Sequence, residues 1–111
     1  MTRTLEETYS LHTNRGVLSF RRQNYAEALA DLRQATRLQP AQIVARVNLA
    51  RVYQELKQYD AARAELDEAH RLKPDEALLY RTRAQVALAE GNLPKALVPG
   101  NHPFPLIYKL Q

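Results

Sequence analysis

The residues with most scope for chemistry are His12, His70 and His102, the acidic cluster Glu65, Asp67 and Glu68, and the glycines Gly16, Gly91 and Gly100. A metal or catalytic site needs several such groups within reach of one another. Here the histidines stand far apart with no His-x3-His pair, and there is no cysteine to supply a thiolate ligand, a nucleophile or a disulfide. The isolated glycines build no phosphate-cradling loop, and neither a G-x-S-x-G elbow nor a kinase motif occurs. The acidic cluster reads as a solvated helical face and the histidines as surface or packing residues. The expectation is a non-catalytic chain with no cofactor and no metal.

Binding is the chemistry that remains. Sixteen Lys and Arg against twelve Asp and Glu give a net charge of +4. A solvated basic surface accounts for that excess, which can also steer an acidic partner. No run of five or six basic residues occurs, and the aromatics are not interleaved with a basic stripe as single-strand binders require. Nucleic-acid binding through arginines of the helices therefore stands second to protein binding. A content of 45 % apolar and 25 % charged residues is ordinary for a globular chain, and charges interrupt every apolar segment before it could span a membrane. The start, MTRTLEETYS, lacks the apolar core of a secretory signal. With no cysteine, a reducing compartment fits, and the cytoplasm is the expected location.

The elements that must position any binding residues are set by a repeat. Pro40 and Pro74 lie 34 residues apart and close the phrases LRQATRLQP and LDEAHRLKP. Aligning 9–42 with 43–76 gives nine identities: Asn14/Asn48, Tyr25/Tyr59, Ala28/Ala62, Ala30/Ala64, Leu32/Leu66, Ala35/Ala69, Arg37/Arg71, Leu38/Leu72 and Pro40/Pro74. Apolar residues recur at three- and four-residue steps, the period of a helix, and a polar break before Tyr25 and Tyr59 divides each unit into two helices. The pattern predicts helices near 5–22, 25–38, 41–56, 59–72 and 75–90. Thr4 and Glu7 form a capping box. The prolines end the second helix of each unit, Asp75 and Glu76 are expected in the first turn of the next, and Gly91-Asn92 makes the matching turn of the third. Gly16 and Ala28, Ala50 and Ala62, and Ala84 and Ala96 fall where paired helices should cross, with Ala35 and Ala69 between units.

Small residues at the eighth, twentieth and twenty-seventh positions, an aromatic at the seventeenth and proline at the thirty-second resemble the tetratricopeptide repeat over about residues 9–98. The fourth position departs, with His12 and Arg46 before Tyr80, and so does the eleventh, with Ser19, Tyr53 and Ala87. The resemblance implies an all-α fold, a right-handed α-solenoid of antiparallel helix pairs. It would hold two full 34-residue repeats, 9–42 and 43–76, and a truncated third, 77–98. It also implies a scaffold role, with a partner's peptide in a concave groove lined by the first helix of each unit. By repeat position the exposed groove residues would be Ser10, Thr13, Asn14, Val17 and Arg21, then Val44, Val47, Asn48, Arg51 and Glu55, then Leu78, Arg81, Thr82, Gln85 and Ala89. Asn14, Val17, Arg21, Asn48, Arg51, Arg81 and Gln85 are the candidate binding set, amides for a peptide backbone and arginines for carboxylates. Relatives that clamp the carboxylate tails of chaperones use Lys, Asn and Arg at positions held here by Thr13, Val17, Asn48, Leu78 and Thr82. Only Asn48 agrees, so chaperone tails are not the expected ligand.

The third unit breaks off. Pro99, Gly100, Pro103 and Pro105 cannot continue a helix, and an irregular tail rich in proline and apolar residues is expected over 99–111. Folding back over the third unit, an aberrant terminus, a partner-binding tail and self-association through the incomplete repeat are all open readings of it.

Overall fold

A computed structural model describes residues 2–91, which form five helices and, among these residues, no strand. They are α1 (Leu5–Arg21), α2 (Tyr25–Leu38), α3 (Val44–Glu55), α4 (Tyr59–Leu72) and α5 (Ala77–Glu90). The expected tail 99–111 and the second helix of the third unit lie outside the described residues. No helix among those described is long and apolar enough to cross a membrane.

α1 opens on the expected capping box, the Thr4 hydroxyl accepting from the Glu7 N–H at 3.0 Å while the Glu7 carboxylate accepts from the Thr4 N–H at 3.2 Å. α3 and α5 begin two or three residues later than the repeat pattern suggests. Their leaders after Pro40 and Pro74 are spent in turns, and the Gln42 N–H bonds the Gln39 carbonyl at 3.1 Å. Asp75 and Glu76 consequently precede α5 rather than occupying its first turn; Glu76 is the N-cap residue and makes no side-chain cap bond.

The helices pair as α1 with α2 and α3 with α4; α2 then packs on α3 and α4 on α5. α2 buries Ala28, Leu32 and Ala35, and α4 buries the same phase, Ala62, Leu66 and Ala69. Each buried leucine contributes about 2 kcal/mol relative to an exposed one. Gly16 faces Leu32 so closely that an added Cβ would sit 2.7 Å from its Cγ. In the second pair Ala50 and Ala62 are completely buried. Polar bonds then tie one pair to the next. The buried Tyr9 hydroxyl accepts from the Ala45 N–H at 3.1 Å, and Arg33 donates to the Tyr53 hydroxyl at 2.8 Å.

The turns repeat as faithfully as the helices. Gln23, Lys57 and Gly91 stand 34 residues apart in the sequence. All three adopt positive φ, at 65°, 61° and 83°. At the first two, the N–H one residue on bonds back to Ser19 or Tyr53 at 2.8 Å, and the N–H of Gln23 or Lys57 to Phe20 or Gln54 at 2.9 Å. This is the Schellman closure of a helix C-terminus, in which glycine is favoured because a Cβ is strained at that φ. Only the third turn has the glycine.

Two stability outcomes follow. Lys57→Gly, and likewise Gln23→Gly, should stabilise the chain by about 0.5–1 kcal/mol, the relief of left-handed strain exceeding the glycine's added freedom when unfolded. A thermal denaturation midpoint that failed to rise in either variant would contradict strain at these turns. Ala62→Leu should destabilise by about 1–3 kcal/mol through overpacking, and an unchanged midpoint would show that the helix crossing tolerates bulk.

Candidate functional site

The first helices of the pairs, α1, α3 and α5, lie side by side and make one continuous face. Two hollows open on it. One, of about 400 Å³, is lined by Phe20, Arg51, Gln54, Glu55, Gln85 and Leu88. The other, of about 180 Å³, is lined by Arg51, Leu78, Arg81, Thr82 and Gln85. Arg51 and Gln85 are shared, so the two form one broken trough across α3 and α5. The Arg51 guanidinium lies over the Phe20 ring, 5.4 Å from its centroid. Stacking on an aromatic face holds the cation in place without neutralising it.

Of the residues expected from sequence, Arg51, Arg81 and Gln85 are brought together here. Asn14 and Arg21 are exposed on α1 and Val17 is half-buried there, but none of them lines either hollow. Asn48 also lies outside them, half-buried, with its Nδ2 donating to the Val44 carbonyl at 2.9 Å. Thr13, Val47 and Thr82 were expected to be exposed and are buried. Thr13 and Val47 share a repeat position that packs toward the next first helix. Arg81, in the same phase on the last described helix, stays exposed. Thr82 donates its hydroxyl to the Leu78 carbonyl at 2.8 Å.

Phe20, Gln54 and Leu88 were missed by the sequence reading. They stand 34 residues apart, at the twelfth position of each unit, so the same ruler that located the helices could have found them.

Ion pairs join the first helices to the second helices. Arg15 and His12 on α1 meet Asp31 on α2 at 2.8 and 2.9 Å, Arg46 meets Glu65 at 3.1 Å, and Arg83 meets Asp67 at 2.8 Å. Arg63 bridges Asp60 and Glu90, and Arg71 holds Glu68. Among the described residues Arg21, Arg51 and Arg81 make no ion pair. Glu55 is the carboxylate that lines the trough. No group of three or more His, Cys, Asp or Glu able to hold a metal ion occurs among the described residues.

A family model for the tetratricopeptide repeat matches residues 19–86. The chain belongs to the tetratricopeptide repeat family. The match covers more than half of its length and runs from the end of α1 into α5. No curated protein and no solved structure matches the chain. Tetratricopeptide repeats serve as protein–protein interaction or scaffold modules, and the row of first helices carries Arg21, Arg51 and Arg81 without ion pairs among the described residues.

The Asp31 ion pair gives a pH signature. The Arg15 guanidinium, seconded by His12, holds the Asp31 carboxyl below its ordinary range. An unfolded aspartate titrates near pH 3.9, so the stabilisation is complete above that value and is lost as the pH falls through the lower folded one. Asp31→Asn should therefore melt earlier than the parent at pH 7, the gap closing as the pH drops below about 4. A gap that stayed constant with pH would show that the carboxylate charge contributes nothing.

Proposed function

We propose that the protein is a non-catalytic scaffold that holds an acidic peptide segment of a protein partner in the concave groove of its first helices. The carrying observation is the concentration of Arg51 and Arg81, without ion-pair partners, around one trough that also offers the apolar surfaces of Phe20 and Leu88. Arg15, Arg46, Arg63, Arg71 and Arg83 are matched by carboxylates, whereas these two face the trough without an ion pair. A guanidinium offers a rigid fork to a carboxylate, and Gln85 between them can bond a peptide backbone as donor and acceptor. Asn14, Val17, Arg21 and Asn48 would extend the contact along α1 and α3. A carboxylate clamp of the chaperone-tail kind is not part of this reading, since of its positions only Asn48 is matched. A cysteine-free chain suits the reducing cytoplasm as the place of this interaction.

The test is fluorescence anisotropy with a labelled glutamate-rich peptide, with a lysine-rich peptide and a single-stranded RNA as comparisons. The glutamate-rich peptide should bind best. Arg51→Ala and Arg81→Ala should each weaken it by roughly tenfold or more, since a hydrogen bond to a charged group contributes about 1.5–3 kcal/mol. Equal affinity for parent and variants would overturn the groove assignment. Preferential, steeply salt-dependent binding of the RNA would replace this reading with the nucleic-acid one.

A further inference from the structure

The small hollow of the trough has hydrogen-bond donors on its wall and no carboxylate. It measures about 180 Å³ and is lined by Arg51, Leu78, Arg81, Thr82 and Gln85. Hollows elsewhere on the described surface carry acids: Glu55 in the larger part of the trough, Asp31 between α1 and α2, and Asp67 between α4 and α5. Pockets that hold a whole small molecule run from about 300 Å³ upward, so this one is sized for a single group. The Thr82 hydroxyl already donates to the Leu78 carbonyl at 2.8 Å. Two guanidiniums and one amide, on exposed Arg51, Arg81 and Gln85, remain to face a ligand. Glu55 stands four residues beyond Arg51, the spacing at which helical ion pairs form. Yet among the described residues Arg51 makes no ion pair. Its guanidinium lies over the Phe20 ring instead, and stacking uses the flat face while sparing the N–H donors at the edge.

We propose that this small hollow receives a phosphate monoester, a phosphorylated serine or threonine of the partner segment. The inference rests on the reading of the groove as a peptide site and names the side chain that occupies it. A carboxylate has two oxygens and is satisfied by one guanidinium fork, which would leave the second arginine of the hollow with nothing to bind. A phosphate monoester offers three terminal oxygens and a charge of about −1.5 to −2 at pH 7, enough to engage Arg51, Arg81 and the Gln85 amide together. The surroundings favour a protein segment over a nucleic acid. A nucleic-acid strand repeats its charge at every nucleotide and takes a run of cations, whereas beyond Arg51 the trough offers Glu55, Phe20 and Leu88. That larger hollow suits an apolar side chain of the same segment, and Leu88 is 57 % exposed to receive it. Phosphorylation of the partner then controls whether it docks.

Fluorescence anisotropy on the full chain tests this. The probe is a short labelled peptide carrying one phosphoserine beside a leucine in an otherwise neutral sequence, compared with counterparts holding serine or glutamate in its place. The phosphopeptide should bind at least about tenfold more tightly than the serine peptide, and at least about threefold more tightly than the glutamate one. Arg51→Ala and Arg81→Ala should each remove most of that preference. Gln85→Glu, an exposed change that puts a carboxylate into the hollow, should abolish it with unchanged helical circular dichroism. Arg22→Ala, exposed and outside the trough, should preserve it; an equal loss there would reduce the effect to net charge and overturn the site. A glutamate peptide bound as tightly as the phosphopeptide, with both weakened by Arg51→Ala, would overturn the phosphate site and leave the acidic-peptide groove standing. No binding of any of these peptides, or affinities indifferent to Arg51→Ala and Arg81→Ala, would overturn both. Tighter binding of a single-stranded RNA than of the phosphopeptide would assign the hollow to nucleic acid instead.

Discussion

The distance at which two helices can pass each other governs the rest of this structure. Between α1 and α2 there is no room for one more carbon, because a Cβ on Gly16 would fall 2.7 Å from Leu32. The second pair solves the same crossing with Ala50 and Ala62, both completely buried. Close passage lets Leu32 and Leu66 reach across and become fully enclosed, which a wider crossing would leave as cavities. Ala35 and Ala69 apply the same economy of bulk where one pair meets the next. Once each pair is fixed in this way, α1, α3 and α5 can only lie in a row.

That row carries the proposed binding site. The ion pairs from first helix to second, such as Arg15–Asp31 and Arg46–Glu65, consume carboxylates inside and around the pairs. They leave Arg51 and Arg81 across a shared trough. Arg51 is held over Phe20 rather than paired with an acid. Its charge thus stays available while its position is restricted, a combination that lowers the ordering cost of binding an anionic group. Bonds between pairs, from Tyr9 on α1 to Ala45 and from Arg33 on α2 to Tyr53, tie α3 to the pair before it.

The helices were legible in the sequence because their causes are local and repeated. Tyr25 and Tyr59 mark helix starts, Pro40 and Pro74 mark helix ends, and the Ala-Leu-Ala phase of α2 and α4 marks the buried face. The late start of α3 and α5 was not legible, because the turn residues after each proline could equally have been helical. The binding face was read only in part. Repeat position identified Arg51, Arg81 and Gln85, but it treated Thr13 and Val47 as exposed, since their burial depends on the neighbouring first helix and not on their own. Phe20 was overlooked beside Arg21 because a lone aromatic reads as core until its phase with Gln54 and Leu88 is noticed. Positive φ at Gln23 and Lys57 was hidden for a related reason: only Gly91 advertises it by residue type.

The central claim is that a ligand engages the row of first helices, at the trough between Phe20 and Arg81. Backbone amide chemical shifts of the isotopically labelled full chain, followed while a glutamate-rich peptide is titrated in, test it most directly. The account predicts saturating shifts at Phe20, Arg51, Arg81, Gln85 and Leu88, with α2 and α4 little affected. Shifts concentrated on α2 and α4, or none at saturating peptide, would contradict it.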